Sequence, residues 1–320
     1  MMDWTDRHCR YLHRLITKNT LLYTEMVTTG ALLRGDVERH LRFDASEHRV
    51  ALQLGGSEPA DLAACAKLGQ DWGYDEINLN CGCPSPRVQR GSFGACLMSE
   101  ADLVADCVKA MRDASQLPIT VKNRIGVDKT QSYEFVRDFI GTVAQAGCEV
   151  FIVHARSAWL DGLSPKENRE FPPLRYDIVH RLKRDFPQLT IAINGGITQY
   201  EEIAEQLQAV DGVMLGRKAY HEPYFMHEFD ARFWPEKSTA PSLEREAIEA
   251  EMVRHMEREA ASNGLNWHSI ARHMLGLYHG QPGARLWRQV WSDHRLRQEK
   301  PHVVMQKAQA QLAAFKYLAD

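Results

Sequence analysis

The pattern of apolar and polar positions divides the chain into two unlike parts. Up to about Pro235, short runs rich in Val, Ile and Leu alternate with longer stretches of helical period. The runs are Leu21–Glu25, Val50–Leu54, Glu76–Asn80, Ile119–Lys122, Val150–His154, Thr190–Asn194 and Gly212–Gly216. Each is bounded by glycine or polar residues, the signature of buried parallel strands. Helices are expected over Asp6–Asn19, capped by Thr5, and over Pro59–Trp72, Glu100–Ala114, Ser132–Ala146, Tyr176–Asp185 and Glu201–Gln208. A long insertion separates His154 from the helix at Tyr176. Beyond a linker-like stretch at Glu236–Pro241 only helical periodicity remains, over Leu243–Asn263, Trp267–Leu277, Ala284–Asp293 and Val303–Leu318.

Seven strands, each followed by a helix, leave two architectures. A doubly wound sheet predicts a GxGxxG turn after its first strand, and the chain has none. A (β/α)8 TIM barrel fits better, with its first strand missing or truncated before Met1. The expected domains are a barrel over residues 1–235 and an all-helical domain over 236–320.

Composition narrows the setting more than the chemistry. Of 320 residues, 44% are hydrophobic and 25% charged, ordinary values for a soluble globular protein, and the net charge of −3 does not announce a nucleic-acid binder. There is no membrane-length apolar run and no apolar leader in MMDWTDRHCR, so a cytoplasmic location is expected. The seven cysteines lack framework spacing, and Cys81-Gly82-Cys83 lacks a second ligand pair, so neither disulfides nor a metal is expected. After Asn263 the helical part turns basic, through Arg272, Arg285, Arg288, Arg295, Arg297, Lys300, Lys307 and Lys316. Such a face suits phosphates, and equally suits solvent.

Chemistry in a barrel lies at the C-terminal ends of its strands. Those positions hold Glu25, Gln53, Asn80 with Cys83, Lys122 with Arg124, His154 with Arg156, Asn194-Gly195-Gly196, and Gly216-Arg217. The last two follow what would be strands seven and eight, where barrels bind phosphate. Lys122 ends an apolar strand and serves either as a Schiff-base lysine or as fixed charge beside an anionic cofactor. Cys83 sits between glycine and proline, whereas Cys9, Cys65, Cys107 and Cys148 fall on helices or at their ends and read as packing residues.

The segments NLNCGCPSPRVQRGSFGACLM, TEMVTTGALLRG, VALQLGGSEP, VKNRIGVD, HARSAWLDGLSPKENREFPPLRY, NGGI, DGVMLGR and RHMLGLYHGQPGARLWR together resemble the tRNA-dihydrouridine synthases, in particular the type acting on positions 20 and 20a of the D-loop. The resemblance spans both parts of the chain. It implies reduction of the uridine C5–C6 bond, with hydride from reduced FMN to C6, NADPH as reductant, and Cys83 as the acid that protonates C5. It assigns Asn80 to the target base, and Gln53, Lys122, His154, Asn194, Gly195, Gly196, Gly216 and Arg217 to FMN, so that Lys122 stabilises negative charge on the flavin. Met1 and Met2 match the end of a flavin-contacting segment. Arg124, Lys166, Arg169, Arg285 and Arg288 are implied tRNA contacts at the D-loop and elbow, and a monomer is expected. Cys81 stands where relatives carry an aliphatic residue and is expected to pack. The Arg87–Gly94 loop is expected to close over a flipped uridine. Two alternatives remain: a flavin-dependent reductase of a free pyrimidine or similar small molecule, and a tRNA-binding protein that has lost catalysis.

Overall fold

The computed structural model describes residues 1–237 and 243–319, without the side chains of Arg87, Arg90 and residues 315–319; the expected linker thus lies mostly outside the described residues. The chain divides into two compact units.

The first unit comprises Met1, residues 23–43 and residues 48–216. Its centre is a seven-stranded sheet in the sequential order β1 (Leu22–Thr28), β2 (Val50–Gly55), β3 (Glu76–Cys81), β4 (Ile119–Arg124), β5 (Val150–His154), β6 (Thr190–Asn194) and β7 (Gly212–Met214). From β2 to β7 all neighbours are parallel, with helices Pro59–Asp71, Ala101–Ala114, Tyr133–Gln145, Tyr176–Asp185 and Tyr200–Gln206 in the connections. This is a TIM-barrel-like arrangement, and its strands match the expected runs to within a few residues at each end.

Alternation along β3 explains the layering. Ile77, Leu79 and Cys81 are fully buried on one face, and a Cβ on Gly69 of helix Pro59–Asp71 would come within 2.5 Å of Ile77 Cδ1. Only glycine lets that helix approach so closely. Glu76, Asn78 and Asn80 take the opposite face and are also buried. They require hydrogen-bond partners, since an unpaired buried polar group costs on the order of 1–3 kcal/mol. Register sets Gln53 beside Asn78, Asn80 beside Lys122, Arg124 beside His154, and His154 beside Asn194. The polar strand-end residues are therefore consecutive around one rim.

Two helices in the β1–β2 connection, Thr29–Arg34 and Val37–Leu41, are unannounced by apolar periodicity. The Arg87–Gly94 segment, expected as a loop, begins with a helical turn at Pro86–Arg90 that follows Ser85, and proline at a first helical position favours such a start.

The second unit comprises residues 2–22, 44–47 and 217–320. The boundary expected at 235/236 thus differs from the observed one, which falls after Gly216 and gathers in the N-terminal helix. Helix Arg7–Ile16 is capped by Asp6, not Thr5: the Asp6 carboxylate accepts from the amides of His8 and Cys9 at 3.0 Å each. A carboxylate suits the positive end of a helix better than a hydroxyl. The helix carries buried Arg10 onto Glu47 at 2.6 Å, and Asp230 accepts from Thr17 Oγ1 at 2.8 Å and Lys18 N at 2.6 Å. These long-range polar bonds leave no trace in local periodicity. Elsewhere in the unit Glu249 is wholly buried and accepts from the indoles of Trp287 and Trp291 at 2.8 Å each. The helix expected over Trp267–Leu277 is confined to His268–Ala271, followed by turns. A Cβ at Gly276 would lie 2.0 Å from the His221 carbonyl oxygen, so the backbone there is held too close for an ordinary helix surface.

His8, His255 and Glu259 are grouped closely enough to consider a metal. Their atoms are already engaged: His8 Nδ1 and His255 Nε2 share a 2.8 Å hydrogen bond, and Arg7 grips the Glu259 carboxylate through Nη1 at 2.6 Å and Nη2 at 2.5 Å. No helix among the described residues is long and apolar enough to cross a membrane.

Candidate active site

The site lies at the C-terminal ends of the strands in the first unit. Asn80 Oδ1 accepts from the amides of both Gly82 and Cys83 at 3.0 Å, which turns the chain sharply off β3 and presents the Cys83 side chain, half-buried. The Cys83 thiol donates to Ser85 Oγ at 3.6 Å, and its carbonyl accepts from Ala95 N at 2.9 Å. Gly94, at φ +66°, closes this turn; a Cβ there would fall 2.7 Å from the Cys83 carbonyl oxygen and 2.3 Å from Val88 Cγ1. A side chain at 94 would therefore push the thiol loop aside.

Cys81 lies on the other face of β3, fully buried, with its thiol pushed well up by burial beside Cys107 and Cys148. The two thiols of the CxC thus sit in different environments, and only Cys83 faces the rim.

Lys122 donates to Asn194 Oδ1 at 3.2 Å, and Asn194 Nδ2 donates to the Met214 carbonyl at 2.8 Å. Desolvation, with the Arg124 charge adding to it and Cys83 opposing it, lowers the Lys122 ammonium from 10.5 to about 8. Gly195 and Gly196 have φ of +121° and +74°. A Cβ at Gly195 would meet His154 Cδ2 at 2.7 Å, and one at Gly196 would meet Leu174 Cδ1 at 2.6 Å. The bare backbone here is what the packing of His154 against Gly195 and of Leu174 against Gly196 requires. The Tyr176 hydroxyl donates to the Gly195 carbonyl at 2.6 Å. Met1 lies next to Gly216, its sulfur 3.5 Å from where a Cβ would stand.

Arg124, expected among the tRNA contacts, is only 3% exposed. Its guanidinium donates to the carbonyls of Gly82 at 3.0 Å, Ser157 at 3.1 Å and Asn168 at 2.9 Å. The side chain is a clamp joining the thiol loop to the insertion after β5. Asn168, fully buried, organises that insertion by accepting from Trp159 N at 2.7 Å and donating to Trp159 O at 2.8 Å. Gln89 adds a second tie, donating to Pro84 O at 3.0 Å and Leu160 O at 2.6 Å. Sequence reasoning missed Asn168, Gln89, Ser85 and Gly94 as supports. The SPKENR motif holds the signal for Asn168, since a lone amide between charged neighbours is the residue able to cross-link a loop.

Lys166 and Arg169 are exposed on the insertion. Met2 and Arg217 belong to the second unit, as do Arg285 and Arg288. The last two are exposed one turn apart on helix Ala284–Trp291, whose other face buries Trp287 and Trp291. Part of the expected basic face is internally neutralised: Arg272 pairs with Asp6 at 2.8 Å, Arg295 with Asp293 at 2.8 Å, and Lys307 with Glu299 at 3.4 Å.

Comparison with known proteins gives the same direction. The family model for dihydrouridine synthases (Dus) matches residues 1–315. Relatives named tRNA-dihydrouridine(20/20a) synthase include one from Pseudomonas syringae pv. tomato, 56% identical over 96% of this chain and 91% of its own length. Another, from Vibrio cholerae, is 54% identical over 99% of this chain and 95% of its own. A third, from Escherichia coli K12, is 58% identical over 92% of this chain and 84% of its own. Among solved structures, morphinone reductase superposes with a TM-score of 0.52 at 11% identity, covering 71% of this chain and 81% of that one. A 2-naphthoyl-CoA reductase complex gives 0.54 at 12% identity, over 72% of this chain and 47% of that one. At such identities the two structures bear on the fold alone.

Proposed function

Because the chain belongs to the dihydrouridine synthase family, we propose that it reduces the C5–C6 double bond of uridine in tRNA to 5,6-dihydrouridine, at positions 20 and 20a of the D-loop. The observation that carries the reading is a half-buried thiol, Cys83, held at a barrel rim by Asn80 and sharing that rim with the desolvated Lys122.

The residues fit a phosphorylated flavin. Lys122 and Asn194 offer a cation and an amide side by side, and Gly195-Gly196 offer bare backbone beside His154. We assign FMN to Met1, Gln53, Lys122, His154, Asn194, Gly195, Gly196 and Gly216, with Met2 and Arg217 carried from the resemblance. When bound there and reduced by NADPH, FMN would supply the hydride for C6. The protein's part is the proton: Cys83 Sγ gives it to C5 as hydride arrives and regains one from solvent, so the thiol form is the working one. Asn80 holds the cysteine and reads the base. A uracil within folded tRNA must leave its stack to reach this rim, which costs a few kcal/mol. Contacts to the phosphate backbone by Lys166, Arg169, Arg285 and Arg288 would offset that.

The test is mass-spectrometric mapping of dihydrouridine in tRNA from cells lacking this protein. The modification should disappear from positions 20 and 20a. Its persistence there, with no redundant enzyme present, would overturn the reading.

A further inference from the structure

We propose that Glu76, at the floor of the first unit, is a positioning residue for the reaction: it fixes the direction of a hydrogen-bond chain that ends on the backbone of Cys83. The inference rests on Cys83 being the acid, as argued above.

Glu76, Thr120, Asn78, Gln53 and Asn80 are all buried. The Glu76 carboxylate accepts through Oε1 from the hydroxyls of Tyr23 at 2.9 Å and Thr120 at 2.7 Å. Thr120 Oγ1 has then given its only proton, so it must accept from its other partner, Asn78 Nδ2, at 2.8 Å. Asn78 is left with Oδ1, which accepts from Gln53 Nε2 at 2.9 Å. Gln53 is left with Oε1, which accepts from Asn80 Nδ2 at 3.0 Å. Asn80 is left with Oδ1, the atom that takes the amides of Gly82 and Cys83. Each amide thus has one orientation, with donors pointing to Glu76 and acceptors pointing to the thiol loop.

Both ends set this order: the two N–H groups of the thiol loop need an acceptor, and the acid at the floor removes the competing order that starts from Thr120. Without that acceptor the Thr120 hydroxyl can turn and donate to Asn78. The amides can then flip in series, and Asn80 would present an NH2 group to two N–H groups. A second, frustrated order of the same chain would compete with the first, and the Cys83 turn would lose its anchor in that fraction of molecules. Burial raises the pKa of the Glu76 carboxyl, and its bonds from Thr120 and Tyr23 lower it; in its carboxylate form it polarises the bonds of the chain and strengthens the acceptor at the other end. Placement errors of about 1 Å at a reacting centre cost on the order of 100-fold in rate.

The experiment uses the full-length flavoprotein and compares Glu76→Met, Glu76→Gln and Thr120→Val. Glu76→Met should lower kcat about tenfold or more while KM for tRNA stays within about twofold, and Thr120→Val should act similarly. Glu76→Gln should recover most of kcat, because one carbonyl oxygen can accept from both hydroxyls. On an Asn80→Ala background, Glu76→Met should bring no further loss in kcat, since its effect passes through Asn80. A second readout needs no turnover: the rate at which iodoacetamide alkylates Cys83 should change in Glu76→Met and return in Glu76→Gln. Wild-type kcat and wild-type alkylation in both Glu76→Met and Thr120→Val would overturn the proposal, as would a full additional loss on the Asn80→Ala background. If Glu76→Met does not retain flavin, Thr120→Val decides alone. If the wild-type protein forms no dihydrouridine, the functional reading fails and the alkylation rates still judge the chain of hydrogen bonds.

Discussion

At the scale of single residues, position on a strand separates two thiols that sequence spacing leaves alike. Cys83→Ala should keep flavin and tRNA binding but lose turnover by about 100-fold or more, the order associated with a lost general acid. Cys81→Ala should leave turnover nearly intact, because that side chain only fills space behind the sheet. Single-turnover reduction of tRNA by pre-reduced protein checks both. Equal losses would mean that the acid is misassigned. Lys122 gives a pH signature. Its ammonium is held down to about 8 by burial, so its charge is complete well below that pH and lost above it. If that charge serves the cofactor, affinity for FMN should fall as pH rises through about 8, and Lys122→Met should abolish that fall; titration by flavin fluorescence measures it. The stability term has the opposite sign. A lysine whose folded pKa is depressed makes the fold relatively more stable as pH climbs from about 8 towards 10.5.

At the scale of elements, what was legible in the sequence is what local periodicity encodes. β3 and β4 announce themselves by apolar alternation, and their polar ends by position. The cap at Asp6 did not show because periodicity does not choose between the adjacent Thr5 and Asp6, and the helical turn after Ser85 and the role of Asn168 did not because each rests on a backbone turn without an apolar stripe. Helix Arg7–Ile16 is the clearest case: its burial of Arg10, Arg14 and His13 contradicts any polarity rule. The acceptors that permit it, Glu47 and the Thr17, Thr20 and Glu47 carbonyls, come from elsewhere in the second unit or from the helix's own exit. That helix should make the unit acid-sensitive. Burial holds His8 down to about 3 and His13 and His255 to about 4. Between roughly pH 6.5 and 4 the unfolded chain takes up protons that the folded one refuses. Stability therefore falls as pH falls, by about 1.4 kcal/mol per pH unit for each such group. Urea unfolding followed by tryptophan fluorescence at pH 7.0 and 5.5 should show the midpoint drop. A midpoint that holds would mean that these imidazoles take up protons in the folded state.

At the scale of the whole molecule, the net charge of −3 conceals where phosphate contacts are available. Arg272, Arg295 and Lys307 are spent on internal carboxylates. No ion pair holds Arg285 or Arg288 among the described residues, and both are exposed on one helical face. Replacing both by alanine should weaken tRNA binding and flatten the dependence of log Kd on log salt by about 1–2 units, while NADPH oxidation by the free flavoprotein is unchanged. An unaltered slope would place the phosphate contacts elsewhere.

The insertion after β5 has one more consequence. Arg124, Asn168, Gln89 and Arg156 fix its backbone from within the protein: Arg156 reaches the Glu170 carbonyl at 3.2 Å and also contacts Pro172 O. A loop so braced is held by the protein's own hydrogen bonds, so association need not include its folding. The heat-capacity change on binding tRNA should then reflect the contact surface alone, without the large negative excess of a segment that folds on its partner. Calorimetry over a range of temperatures would detect that excess. Its appearance would mean that the brace forms only in the complex.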